Sequence, residues 1–204
     1  MASIDLTKVY RQHYAATRDE PAIVEVPLRP YLMIDGRGDP NTSDEYREAI
    51  EALYPLAYGL RTSVKRATGD AYKVMPLEGL WWAPDMSRFD PDDKSDWLWT
   101  AMICLPDAVT HSMVDHVLPA VTDKKRLAAG AKARVESFGD GTAAQVLHVG
   151  PYAEEAPTIE SLHRFIAEHG SILVGKHHEI YLSDPRRSDP ARLRTIIRQP
   201  IADA

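Results

Sequence analysis

The stretch His178-Glu179-Ile180-Tyr181-Leu182-Ser183-Asp184-Pro185 decides the fold, because an earlier stretch repeats its plan. Leu77-Glu78-Gly79-Leu80-Trp81-Trp82-Ala83-Pro84-Asp85 also places a glutamate early in a strand and also ends in an Asp/Pro turn. Each follows a long helical pattern. Written out twice, the order is strand, Gly-containing loop, helix, strand, polar turn, strand, which reads as an internal duplication. The expected fold is α+β: duplicated strand-helix-strand-strand modules with pseudo-twofold symmetry, an antiparallel sheet and a central ligand cleft at their junction.

Working outward, residues 1–22 are polar and read as an N-terminal arm ending at Pro21. Residues 23–204 form one domain of two halves, about 23–106 and 131–201, joined by a helix over about 107–130. In the first half, Ile23-Val24-Glu25-Val26 alternates as an edge strand does, and Tyr31-Leu32-Met33-Ile34 resumes after Pro27 and Pro30. Asn41-Thr42-Ser43-Asp44-Glu45 opens a helix, with Thr42 or Ser43 as cap and acidic residues at its positive end. Tyr46, Ile50, Leu53, Ala57 and Leu60 give that helix one apolar face, and Pro55 argues for a kink. Residues 72–82 and 97–103 read as a pair of strands joined by a polar loop, 84–96, that carries five aspartates.

The second half begins with strand Arg134–Phe138, a Gly139-Asp140-Gly141 hairpin turn and a return strand, Ala143–Val149. Pro157 starts a helix whose face is Ile159, Leu162, Phe165 and Ile166, and Gly170 ends it. Residues 177–184 and 193–198 are the last two strands.

The 204 residues carry a net charge of −6 with no basic stripe, so direct nucleic-acid binding is not expected. No run approaches the ~18 apolar residues of a membrane span, and the N-terminus has no basic region followed by an apolar one. The protein is expected to be cytoplasmic. One cysteine, Cys104, lies in an apolar run and excludes both a disulfide framework and a cysteine zinc site. Adjacent His177 and His178 point to opposite faces of a strand, His111 and His116 have poor helical spacing, and no His-Glu-x-x-His occurs. No metal and no cofactor are expected.

Strand alternation puts His178, Ile180 and Leu182 on one face, expected to pack on the helices, and Glu179, Tyr181 and Ser183 on the other. Glu179 is thus either a solvated carboxylate, one paired with Arg194 or Arg198, or the charged group of a ligand site. Glu78 is its counterpart in the first half. Trp81, Trp82, Trp97 and Trp99 lie on two paired strands, too many large rings for one small core, so one or two of them can line a pocket. An aromatic face beside a carboxylate suits a flat or cationic ligand.

Together, the segment Tyr31 to Asn41 with its Asp35-Gly36-Arg37-Gly38 turn, the 72–82 strand and the His178–Pro185 and Leu193–Pro200 motifs resemble the GyrI-like small-molecule-binding proteins. The likeness covers about residues 25–200. It implies a ligand cleft between duplicated halves, in which Glu179 meets a hydrophobic or cationic organic molecule. Stand-alone members include hydrolases that open the cyclopropane rings of DNA-alkylating compounds. That chemistry would use Glu179 and Glu78 as flanking carboxylates, one a general base, with Tyr181 as hydrogen-bond donor and Trp81, Trp82, Tyr152 and Trp99 against the ligand. A non-catalytic drug-binding or sensing module and an inhibitory protein-interaction domain are the alternatives the resemblance leaves open.

Overall fold

The computed structural model describes residues 4–85 and 93–204, so residues 86–92 of the expected acidic loop lie outside the described residues. Along the chain the elements are α1 (Leu6–Val9), α2 (Arg11–Tyr14), β1 (Ala22–Val26), β2 (Arg29–Arg37), α3 (Asp44–Thr68), β3 (Leu77–Trp82) and β4 (Leu98–Cys104). Then come α4 (His111–Lys125), β5 (Arg134–Phe138), β6 (Gly141–Val149), α5 (Ala156–Glu168), β7 (Ser171–Leu173), β8 (His177–Tyr181) and β9 (Arg194–Asp203). The fold is α+β with antiparallel strand pairing, as expected.

Two compact units divide the chain. The first holds Met1–Leu6, Arg29–Met75 and Gly79–Phe138, and the second Thr7–Leu28, Pro76–Glu78 and Gly139–Ala204. In the first unit the strand order is β3-β4-β2-β5. Helix α3 packs on β2, β4 and α4 and buries Ala49, Ala52, Leu53, Leu56, Ala57, Leu60 and Val64. Ser43 caps this helix by accepting from the Tyr46 amide, and Gly69 ends it at φ 82°. The helix runs through Pro55 without a break. A side chain at Gly59 would meet Val117 and Val121 of α4, so glycine there lets the two helices approach.

In the second unit the order is β1-β6-β9-β8, then the opening residues of β3, with β7 on β9. Helix α5 buries Leu162 and Ile166 against Ala144, Val146, Ile197 and Ile201, with Ile159 and Phe165 flanking them. The expected apolar face of that helix is therefore the one it uses.

Three local expectations are corrected. Residues 134–149 do not form a hairpin: β5 pairs with β2, and β6 pairs with β1 and β9. Residues 1–22, read as a polar arm, include two short helices, α1 and α2, that bury Leu6, His13 and Tyr14. The third concerns β8. Glu179 stands opposite Ile197 in the ladder, so it shares its face with the residues α5 covers, whereas His178 stands opposite Arg198 on the other face. The pattern of alternation was right, but the helix covers the face with fewer apolar residues in β8, because β6 and β9 supply the apolar surface there.

Candidate functional site

The β8 strand carries two different chemistries on its two faces. On one, Glu179 is held from both sides by its own strand, as residues two apart in a strand share a face. The hydroxyl of Tyr181 donates to Oε2 at 2.7 Å, and Nε2 of His177 lies 3.1 Å from Oε1. The Glu179 side chain is 13% exposed, so the carboxylate is sheltered yet reachable. Tyr152, on the 3-10 turn Tyr152–Glu154, packs edge-to-face on Tyr181 with ring centroids 5.6 Å apart and is exposed on its outer side. His163, projecting from α5, has a buried Nε2 without a hydrogen-bond partner. Burial, and next the charge of His177, hold His163 below its ordinary pKa. Glu179, Tyr181 and Tyr152 are thus brought together, and His177 joins them.

On the other face, His178 is fully buried with a carboxylate at each ring nitrogen: Asp140 Oδ2 at 2.8 Å from Nδ1 and Glu78 Oε2 at 3.0 Å from Nε2. A carboxylate only accepts, so both nitrogens must donate and the ring is an imidazolium. Burial alone would lower its pKa, but the charge and hydrogen bond of Asp140 and the hydrogen bond of Glu78 raise it above the ordinary value. For Asp140, burial pulls upward, while the His178 charge and the hydrogen bonds from His178 and Arg198 bring it below the ordinary carboxyl range.

Glu78 is therefore not placed beside Glu179. It is fully buried, accepting from Tyr14 at 2.6 Å as well as from His178. Arg198 extends the network through Nη1 to Asp140 at 3.1 Å and through Nε and Nη2 to Gln145 at 3.1 and 2.9 Å. Arg198, considered above as a partner for Glu179, is thus committed to the opposite face.

The tryptophans lie in the first unit. Trp81, Trp97 and Trp99 are buried, and Tyr46 touches both Trp81 at 5.6 Å and Trp99 at 5.0 Å between centroids. Trp99 is wholly enclosed, and Trp82 is half-buried.

The profile of the GyrI-like small molecule binding domain matches residues 19–201. The chain belongs to the GyrI-like family. Among solved structures, this GyrI-like chain is similar to an uncharacterized conserved protein from Listeria innocua, with 35% identity and a TM-score of 0.90 over 98% of this chain and all of that one. It is also similar to a hydrolase from Listeria innocua, with 34% identity and a TM-score of 0.87 over the same shares. The C-terminal domain of EcmrR shares 14% identity and a TM-score of 0.57 over 91% of this chain and 98% of that one, a likeness of fold alone. No curated protein matches the chain. No described helix is long and apolar enough to cross a membrane.

Sequence reasoning missed His177, Asp140 and Tyr14 in these GyrI-like arrangements. His177 was open to detection, since it lies two positions before Glu179 and so on its face. Asp140 was hidden by its glycine neighbours, which read as a turn. Tyr14 belonged to a segment without strand or long-helix periodicity.

Proposed function

We propose that this GyrI-like protein binds a flat hydrophobic or cationic small molecule against Glu179, Tyr181 and Tyr152, and hydrolyses compounds that carry a strained cyclopropane conjugated to a carbonyl. The observation that carries the reading is Glu179 itself: a sheltered carboxylate with one donor on each oxygen and an aromatic wall beside it. The Listeria innocua relative described as a hydrolase adds weight to the catalytic part.

In the step proposed, Glu179 takes a proton from water as the oxygen bonds to a ring carbon. The strained carbon–carbon bond breaks, and its electron pair moves onto the conjugated carbonyl, whose oxygen then takes a proton. One water is added overall. As Glu179 becomes protonated, the Tyr181 hydroxyl turns its single proton from Oε2 to that oxygen and stabilises the charge there, and Tyr152 stacks on the ring system. Glu78, being enclosed, supports the sheet rather than the substrate.

The test is mass spectrometry of a cyclopropane-bearing DNA alkylator incubated with wild type, with Glu179→Gln and without protein. A hydrated, ring-opened product from wild type alone is the expected result. Compound that co-elutes unchanged with wild type would reduce the function to binding, and turnover unimpaired in Glu179→Gln would remove Glu179 from the mechanism.

A further inference from the structure

Tyr152 reaches Tyr181 from a loop, and the structure shows what holds that loop. His148 is buried near the end of β6. Its Nδ1 lies 2.9 Å from the Thr158 hydroxyl on α5, and its Nε2 lies 3.2 Å from the carbonyl of Pro151. A carbonyl only accepts, so Nε2 carries the proton, and the Thr158 hydroxyl donates to Nδ1. One imidazole therefore ties the first turn of α5 to the residue before Tyr152.

The loop itself admits no substitute backbone here. Gly150 has φ 148°, and a Cβ on it would lie 3.2 Å from His148 Nε2. Its amide donates to Leu193 at 3.0 Å, which anchors the loop to the start of β9. In the sheet, His148, Thr195 and Tyr181 form one cross-strand row. Thr195 separates His148 from Tyr181, so the link between them runs through the loop and not directly across the strands.

We propose that His148 is the positioning residue of the Glu179 site: it fixes the loop that seats Tyr152 against Tyr181, whose hydroxyl in turn holds the Glu179 carboxylate. This rests on the small-molecule reading of that site. It assigns His148 no contact with the ligand. Its effect is exerted through Tyr152 alone.

The test is a double-mutant cycle read by fluorescence titration with ethidium, a planar aromatic cation, alongside an NMR measurement of the ring contact between Tyr152 and Tyr181. His148→Leu should weaken ethidium about tenfold and remove the inter-ring contact, while His148→Gln, which keeps a donor toward the Pro151 carbonyl, should recover most of both. In a Tyr152→Ala background, His148→Leu should have no further effect. Thr158→Val, which keeps side-chain shape and loses the hydroxyl, gives the same comparison if His148→Leu does not fold. Additive effects of His148 and Tyr152 substitutions, or an intact ring contact in His148→Leu or Thr158→Val, would overturn the proposal. Failure of ethidium to bind wild type would count against the small-molecule reading instead, and the ring contact would still decide the role of His148.

Discussion

His178 and Arg198 stand opposite each other on β8 and β9, and both close on a single carboxylate oxygen, Oδ2 of Asp140. Two cations meeting in a buried space require their anion. Asp140→Asn keeps the shape and removes the charge, so Arg198 and His178 lose the carboxylate they share, while His178 keeps that of Glu78. Breaking a buried pair in this way costs about 3–5 kcal/mol. Urea unfolding followed by circular dichroism should show the loss as a lower midpoint with an unchanged slope, and a change below about 1 kcal/mol would mean the network contributes little.

The same groups set a pH window. The pKa of His178 is raised in the folded state, so its contribution is complete below the unfolded value of 6.5 and is lost as pH rises through the folded value. The pKa of Asp140 is lowered, so its contribution is complete above 3.8 and is lost as pH falls through its folded value. Both are present in full only between those two unfolded values. Midpoints measured across pH should peak in that interval and decline on the alkaline side, and the alkaline decline should flatten in Asp140→Asn.

Tyr14→Phe removes one hydrogen bond from a fully buried carboxylate, that of Glu78. An unsatisfied buried acceptor of this kind costs about 1–3 kcal/mol. Thermal unfolding should report it. An unchanged midpoint would show that the segment carrying α2 does not depend on this contact.

Gly36 lies beneath the ring of Trp99, and a Cβ on it would run into that ring. The ring is wholly enclosed and has no room to retreat. Gly36→Ala should therefore cost about 1–3 kcal/mol through overpacking. Tryptophan fluorescence during unfolding would register both the lower stability and the displaced ring.

Tyr181→Phe deletes the donor to Glu179 Oε2 and keeps the ring against Tyr152. On the hydrolytic reading, turnover should fall by about ten- to a hundredfold with affinity for the compound little changed. A fall in affinity with turnover intact would place Tyr181 in binding alone.

Much of this fold was legible because periodicity is a local signal. The face of α5, the Ser43 cap and the opposed sides of His178 and Glu179 all follow from residues a few positions apart. Pairing over long separations is not local. The link between β5 and β6 reads as a hairpin because Gly-Asp-Gly suits one, yet the partners of those strands lie elsewhere in the chain. The same limit hid the buried network, whose members Tyr14, Glu78, Asp140, His178 and Arg198 come from five separate segments. For the site, Glu179 and Tyr181 could be singled out by alternation, whereas the buried position of Glu78 could not.

Gly139-Asp140-Gly141 looks like the most replaceable kind of segment, a short connection between strands. A Cβ at Gly139 would press on the backbone of Pro27 and Leu28, and Gly141 sits at φ 65°. With Asp140 committed to His178 and Arg198, none of the three positions is free to drift. In a library of random variants, this connection should be as intolerant as the hydrophobic interior, and homologues that lose one of its residues should have rebuilt the charges around it.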